Sequence, residues 1–166
     1  MKKRILLGLT LAELKDLVRS LGMPAFTGSQ IAKWLYERHV TSIEEMTNLS
    51  KANRARLAEC EIGNAAPIDA QHSKDGTIKY LFPVQTQAKV AFTEEENNPN
   101  ISEKPTKFVE TVYIPEENGH ATLCVSCEVG CKMNCLFCQT GKQGFDGYLT
   151  AADILNQVYS LPEVDK

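Results

Sequence analysis

The chain has 166 residues, 43% apolar and 23% charged, and a net charge of −3 at neutral pH. That is enough to bury one ordinary core, or a small domain plus part of a second. No apolar run approaches the roughly 20 residues needed to cross a bilayer, which excludes a membrane-spanning helix.

The charge is unevenly placed. Residues 1–62 carry ten Lys/Arg against seven Asp/Glu, a net of +3, whereas residues 63–166 carry eight against fourteen, a net of −6. A small basic excess is a weak pointer to nucleic acid, and a solvated helix surface explains it equally well.

The start, "MKKRILLGLTLAELKDL", has a basic tip followed by apolar residues, like a signal peptide. Its apolar stretch is short, and no small-residue cleavage site precedes the acidic sequence at Glu13. The chain therefore reads as cytoplasmic, where close thiols bind metal or react more often than they form structural disulfides. "TLAE" at Thr10 is a capping box, and Leu14, Leu17, Val18 and Leu21 follow at helical spacing until Gly22 and Pro24. "TGSQ" at Thr27 repeats the device before a helix with Ile31, Trp34 and Leu35 on one face. "SIEE" at Ser42 and "SKANRARLAEC" from Ser50 predict one short and one longer helix, with Cys60 in the core. On the last of these, Lys51, Arg54 and Arg56 can meet phosphate, with a solvated face as the equal alternative.

From about Ala65 the period changes. "IDAQHSKDGTIKYLFPV" sets Asp75-Gly76 between two strand-like runs, a strong hairpin signal. The polar, acidic stretch 93–105 predicts an exposed loop. "KFVETVYIP" (107–115) and "ATLCVS" (121–126) read as strands joined by a turn. "LTAADILNQVYSL" predicts a helix from Thr150, with Ile154, Leu155, Val158 and Leu161 inward. Strand, cysteine loop and helix in that order resemble the opening of a βα repeat.

Five of the six cysteines fall between 124 and 138, spaced Cys124-x2-Cys127-x3-Cys131-x3-Cys135-x2-Cys138. Structural zinc sites pair two short knuckles across a longer span, and these thiols are too crowded for that. Disulfides need defined geometry and an oxidising compartment, and neither is indicated. An iron–sulfur cluster fits better, because soft thiolates close in sequence can wrap three corners of a cubane from one loop. Three ligands leave one iron open for chemistry.

Cys131-x3-Cys135-x2-Cys138, with Phe137 before the last cysteine, is the signature of the radical S-adenosylmethionine (SAM) superfamily. "VETVYIPEENGHATLCVSCEVGCKMNCLFCQTGKQGF" resembles the cluster region of RlmN-type adenine C2 methyltransferases, which act on 23S rRNA and tRNA. "FTGSQIAKWLYERHVTSIEEMTNLSKANRARL" and "SKDGTIKYLF" likewise resemble that family's N-terminal helical domain and following hairpin.

The resemblance implies that Cys131, Cys135 and Cys138 bind three irons of a 4Fe-4S cluster while SAM chelates the fourth. Phe137 would line the SAM pocket, with packing beneath the loop as the alternative. It further implies that a 5′-deoxyadenosyl radical takes hydrogen from a methylated protein cysteine, whose carbon radical adds to C2 of adenine. Cys124 matches the resolving position, where a thiol releases the product by disulfide formation; a buried strand cysteine is the alternative. Cys127 stands where many relatives have serine and receives no ligand role.

The fold expectation is α+β. It comprises a helical RNA-binding accessory domain over 1–62, a β-hairpin and strand connector over 63–115, and the first βα units of an incomplete radical SAM partial barrel over 116–166. The methyl-carrying cysteine and a SAM-binding Gly-Glu motif lie far downstream in the family, so the resemblance implies an N-terminal portion, inactive alone. Implied partners are 23S rRNA, tRNA and an electron donor such as flavodoxin, for a monomer with no membrane. A Cfr-like C8 methyltransferase and a non-enzymatic zinc and nucleic-acid module are the competing readings.

Overall fold

The computed structural model describes residues 3–84 and 107–163. The acidic stretch 93–105 lies outside the described residues. The chain divides into two units, Met1–Asn64 and Ala65–Lys166.

In the first unit, β1 (Arg4–Ile5) pairs in parallel with β2 (Cys60–Glu61), tying its two ends together. Between them run α1 (Leu11–Ser20), α2 (Phe26–Tyr36), a 3-10 turn (Ile43–Glu45) and α3 (Lys51–Arg56). The capping box of α1 forms as its spacing predicts: Glu13 N–H donates to Thr10 Oγ1 at 3.3 Å, and Thr10 N–H to the Glu13 carboxylate at 2.7 Å. "TGSQ" does not cap α2. That helix begins at Phe26, its N-cap is Ala25, and Thr27 is fully buried with no partner for its hydroxyl. The Thr27 N–H already donates to Pro24 O at 3.0 Å, so the turn starts upstream and carries Thr27 inside. α3 is shorter than "SKANRARLAEC" suggests, although Ser50 caps it by accepting from Asn53 N–H at 3.2 Å.

Leu6, Leu14, Val18, Ile31, Leu35, Met46 and Leu57 form the core of this unit, all essentially inaccessible to solvent. Each such side chain contributes about 2 kcal/mol relative to exposure. Gly28 lets α1 and α2 cross closely, since a Cβ there would sit 2.8 Å from Lys15 N. Cys60 is buried in this core, and burial pushes its thiol pKa up.

The second unit is built on an antiparallel sheet in the order β3 (Asp69–His72), β4 (Ile78–Val84), β5 (Lys107–Pro115), β6 (Ala121–Cys124). The Asp75-Gly76 hairpin forms, with Gly76 at φ +86° and Thr77 N–H donating to Asp75 Oδ1 at 3.0 Å. Pro83 lacks an N–H but sits beyond the last paired residue of β3, where no ladder bond is owed. Alternation turns Tyr80, Phe82, Val84, Val109 and Thr111 to one face, and Leu149 and Leu161 join its apolar cluster. Tyr80 donates its hydroxyl to Glu163 at 2.8 Å, and burial together with that carboxylate pushes its pKa up to about 12.

After β6 come β7 (Glu128–Gly130), α4 (Gln139–Lys142), β8 (Phe145–Tyr148) and α5 (Ala151–Tyr159). β7 and β8 pair antiparallel, a hairpin that local pattern does not reveal. Thr150 caps α5 reciprocally with Asp153. The inward face of α5 matches the helical-period expectation in part: Leu161 is buried and Ile154 packs against the sheet's apolar cluster. Ile154, Leu155 and Val158 are only half-buried, whereas Asn156 and Gln157 lie deepest, because α5 packs partly on backbone that needs polar partners.

Candidate metal centre and thiol segment

β6 ends on Cys124, which pairs with Val112 of β5. Its thiol is exposed, so it is not a buried strand cysteine. Two residues on, Ser126 Oγ donates to Glu110 O at 2.8 Å, and its peptide meets the Gln157 amide. Cys127 is also exposed, while its carbonyl accepts from Leu149 N–H at 3.0 Å. The stretch 124–127 is thus pinned along its backbone and leaves both thiols in solvent.

Cys131, Cys135 and Cys138 occupy the loop that the β7–β8 pair closes at its base. Gly130 makes that closure possible. Its φ is +71°, and a Cβ there would fall 1.7 Å from Gly144 O, the carbonyl that accepts from Cys131 N–H. Inside the loop Cys138 N–H donates to Cys135 O at 3.0 Å, and Lys142 N–H to Cys138 O at 3.2 Å. Lys132 Nζ lies 4.2 Å from the Phe145 ring centroid and 4.6 Å from that of Tyr148, and donates to the Tyr148 hydroxyl at 2.7 Å. This cation–π contact ties the loop to β8.

All three loop thiols are free and half-exposed. Cys131 Sγ accepts from Met133 N–H at 3.4 Å. Backbone N–H groups, that of Gly141 foremost, hold the Cys138 thiol below its ordinary pKa. A lowered pKa favours thiolate, the form that ligates metal. Three free thiols carried by one loop are the soft donor set that a thiolate-ligated cluster takes. Among the described residues, no three His, Cys, Asp or Glu side chains are already gathered as a metal site.

Met133, Leu136 and Phe137 are 76%, 89% and 93% exposed, so Phe137 does not pack beneath the loop. Lys51, Arg54 and Arg56 are all on α3 of the first unit, with Arg54 and Arg56 on different faces. Arg54 Nη1 donates to Met46 O at 3.1 Å and Leu49 O at 2.8 Å, and Arg56 Nη1 to Gly22 O at 2.5 Å. Both guanidiniums thus close backbone turns, while Lys51 is exposed. Sequence reasoning missed Gln157, Thr111 and Asn156; no local motif marks buried polar side chains that bond to groups 31 or more residues away.

Residues 5–62 match the family described as ribosomal RNA large subunit methyltransferase N-terminal domain. Across the whole chain, the probable dual-specificity RNA methyltransferases RlmN of Bacteroides thetaiotaomicron and Bacteroides fragilis are 52% and 53% identical. This chain matches RlmN over its whole length. It spans 43% of the length of each of those two RlmN relatives. RlmN of Psychrobacter arcticus is 42% identical over 95% of this chain and 35% of its own length. A crystal structure of a radical SAM methyltransferase from Sphaerobacter thermophilus superposes with a TM-score of 0.72 at 33% identity, over 95% of this chain and 41% of that one. The mixed α/β fold is therefore shared with a solved radical SAM methyltransferase.

Proposed function

We propose that this chain is part of a radical SAM enzyme that methylates C2 of an adenosine in 23S rRNA and in tRNA. One observation carries the reading: a hairpin-closed loop bears Cys131-x3-Cys135-x2-Cys138, and an exposed Cys124 precedes it, in a chain that matches RlmN over its whole length. Cys131, Cys135 and Cys138 would hold three irons of a 4Fe-4S cluster, with SAM on the fourth and Phe137 against the SAM pocket. When bound, the cluster and SAM supply a one-electron reduction and a radical able to take hydrogen from a methylated cysteine. C2 of adenine is too poor a nucleophile for polar methyl transfer, which is why a carbon radical is needed.

Cys124 is the resolving thiol. Its thiolate attacks the sulfur of the carrier cysteine, forming an S–S bond and breaking the bond from that sulfur to the RNA-bound carbon. The released electron pair stays on that carbon, which takes up a proton and becomes the methyl group. None of this chain's six cysteines is assigned as the carrier. Lys51, together with the guanidinium N–H groups of Arg54 and Arg56 not spent on carbonyls, would meet RNA phosphate. The run from the cysteine loop through α5 is read as the start of a (β/α) partial barrel. A cytoplasmic monomer served by an electron donor such as flavodoxin completes the reading.

C2 is favoured over a Cfr-like C8 position, and an enzyme over a zinc module, because the relatives are named RlmN. Two measurements test this. Nucleoside mass spectrometry of rRNA and tRNA from cells lacking the gene should show loss of 2-methyladenosine; loss of the C8 isomer instead would move the assignment. Anaerobic reconstitution of the intact protein should yield about four iron and four sulfide. Stoichiometric zinc without sulfide would overturn it.

A further inference from the structure

We infer that Gln157 is a positioning residue for the resolving thiol, its buried amide gripping the Ser126 peptide between Cys124 and Cys127. The inference rests on the reading of Cys124 just given.

Gln157 is completely buried, and its amide makes four hydrogen bonds. Oε1 accepts from Ser126 N–H at 2.9 Å and from Thr111 Oγ1 at 2.8 Å. Nε2 donates to Ser126 O at 2.8 Å and to Asp153 O at 3.2 Å. Every lone pair and N–H of the amide is used. The opposite amide orientation would set NH2 against the Ser126 N–H and oxygen against its carbonyl, so these partners dictate which way it points. The side chain thus pairs with the Ser126 peptide as a neighbouring strand would, just past the point where β6 ends at Cys124. Thr111, itself fully buried on β5, anchors the amide from the other side.

The bland alternative is a buried amide that is merely satisfied. α5 carries the comparison needed to separate the two. Its neighbour Asn156 makes an equivalent two-point grip on another peptide: Ala65 N–H donates to Oδ1 at 2.8 Å, and Nδ2 donates to Ala65 O at 3.0 Å. That grip holds the start of the unit and touches no thiol segment. The two amides share a helix and burial, each pairs with one residue's N–H and C=O, and they differ in which residue they hold.

The test uses matched isosteric changes in the intact, anaerobically reconstituted enzyme. Gln157→Glu and Asn156→Asp both keep the shape, but Gln157→Glu loses N–H donation to the Ser126 and Asp153 carbonyls and Asn156→Asp to that of Ala65. The readouts are thermal stability, the fraction of protein covalently linked to substrate RNA on a denaturing gel, and the electron paramagnetic resonance spectrum of the cluster. Both variants should lose stability, Gln157→Glu the more because it gives up two donated hydrogen bonds to the other's one. Because misplacing a reacting group by about 1 Å costs up to ~100-fold in rate, Gln157→Glu should raise the trapped adduct at least about tenfold. Asn156→Asp should leave it at the wild-type level, and the cluster spectrum should not change in either.

Cys124→Ala serves as reference. If it traps no adduct, the resolving role of Cys124 fails. If it does, but Gln157→Glu traps no more than Asn156→Asp, the positioning role fails while the resolving role stands. An altered cluster spectrum in Gln157→Glu would also overturn the inference, by placing the amide's effect on the loop instead. Should either carboxylate variant not fold, the uncharged pair Gln157→Met and Asn156→Leu is read by the same criteria.

Discussion

The two units are stabilised differently. Residues 1–64 are held by apolar burial, with Leu6, Leu14, Ile31, Leu35 and Met46 packed out of water. In the second unit the sheet has a smaller cluster around Tyr80, Phe82 and Val109, and the thiol-bearing segment is held by directed hydrogen bonds with Gln157, Glu110 and Leu149. Burial is non-directional and tolerates small shifts, whereas a two-point amide grip specifies both distance and angle. Position is therefore specified more tightly along the thiol-bearing segment than in the apolar core. Apolar side chains meanwhile remain exposed on the cysteine loop, at Met133, Leu136 and Phe137.

The largest effect that would sharpen this contrast is chemical. Cys131→Ala should abolish cluster assembly and 2-methyladenosine formation while leaving the melting of the first unit unchanged, read by iron analysis, nucleoside mass spectrometry and circular dichroism. A comparable loss of activity with the cluster intact would remove Cys131 from the ligand set.

Next is the core of the first unit. Leu14→Ala should cost about 2–5 kcal/mol in denaturant unfolding, since a fully buried leucine leaves a cavity the helices cannot collapse to fill. A cost under about 1 kcal/mol, the level of surface changes, would show that this unit does not depend on its apolar interior.

Gly130→Ala should cost roughly 1–3 kcal/mol from backbone strain alone, with the clash against Gly144 O added. The stem of the cysteine loop should open first, seen as faster amide exchange at Cys131, whose N–H that carbonyl holds. Unchanged exchange there would mean the loop is not closed by this pair.

The smallest effect is a pH dependence. Hydrogen bonds from the Thr10 side chain and backbone hold the Glu13 carboxyl below its ordinary pKa. Its contribution is therefore present above the unfolded-state value and is lost as pH falls through the lower folded value. The urea midpoint of the first unit should drop across that acid range, and Thr10→Ala should flatten the drop. A slope that Thr10→Ala leaves unaltered would assign the dependence to other groups.

Features set by neighbours three or four residues apart were legible in the sequence. The Thr10 and Thr150 capping boxes, the Asp75-Gly76 hairpin, the strand 107–115 and the burial of Cys60 all follow from local chemistry. "TGSQ" misled because Pro24 starts the turn earlier, and a short motif does not record where the preceding residues have already sent the chain. The spacing of Cys131, Cys135 and Cys138 also stood in the sequence, since it lies within eight residues.

What the sequence determined by itself was the identity and spacing of the thiols, the helix starts and the tight turn, because each depends on bonds closed within one or two turns of chain. Tertiary structure alone decided that β7 pairs with β8 across the cysteine loop, and that α5 turns Asn156 and Gln157 inward beside its half-buried apolar residues. Those outcomes depend on peptides that meet only after the chain has folded back. A buried backbone group accepts whichever side chain can satisfy it, wherever in the chain that side chain lies.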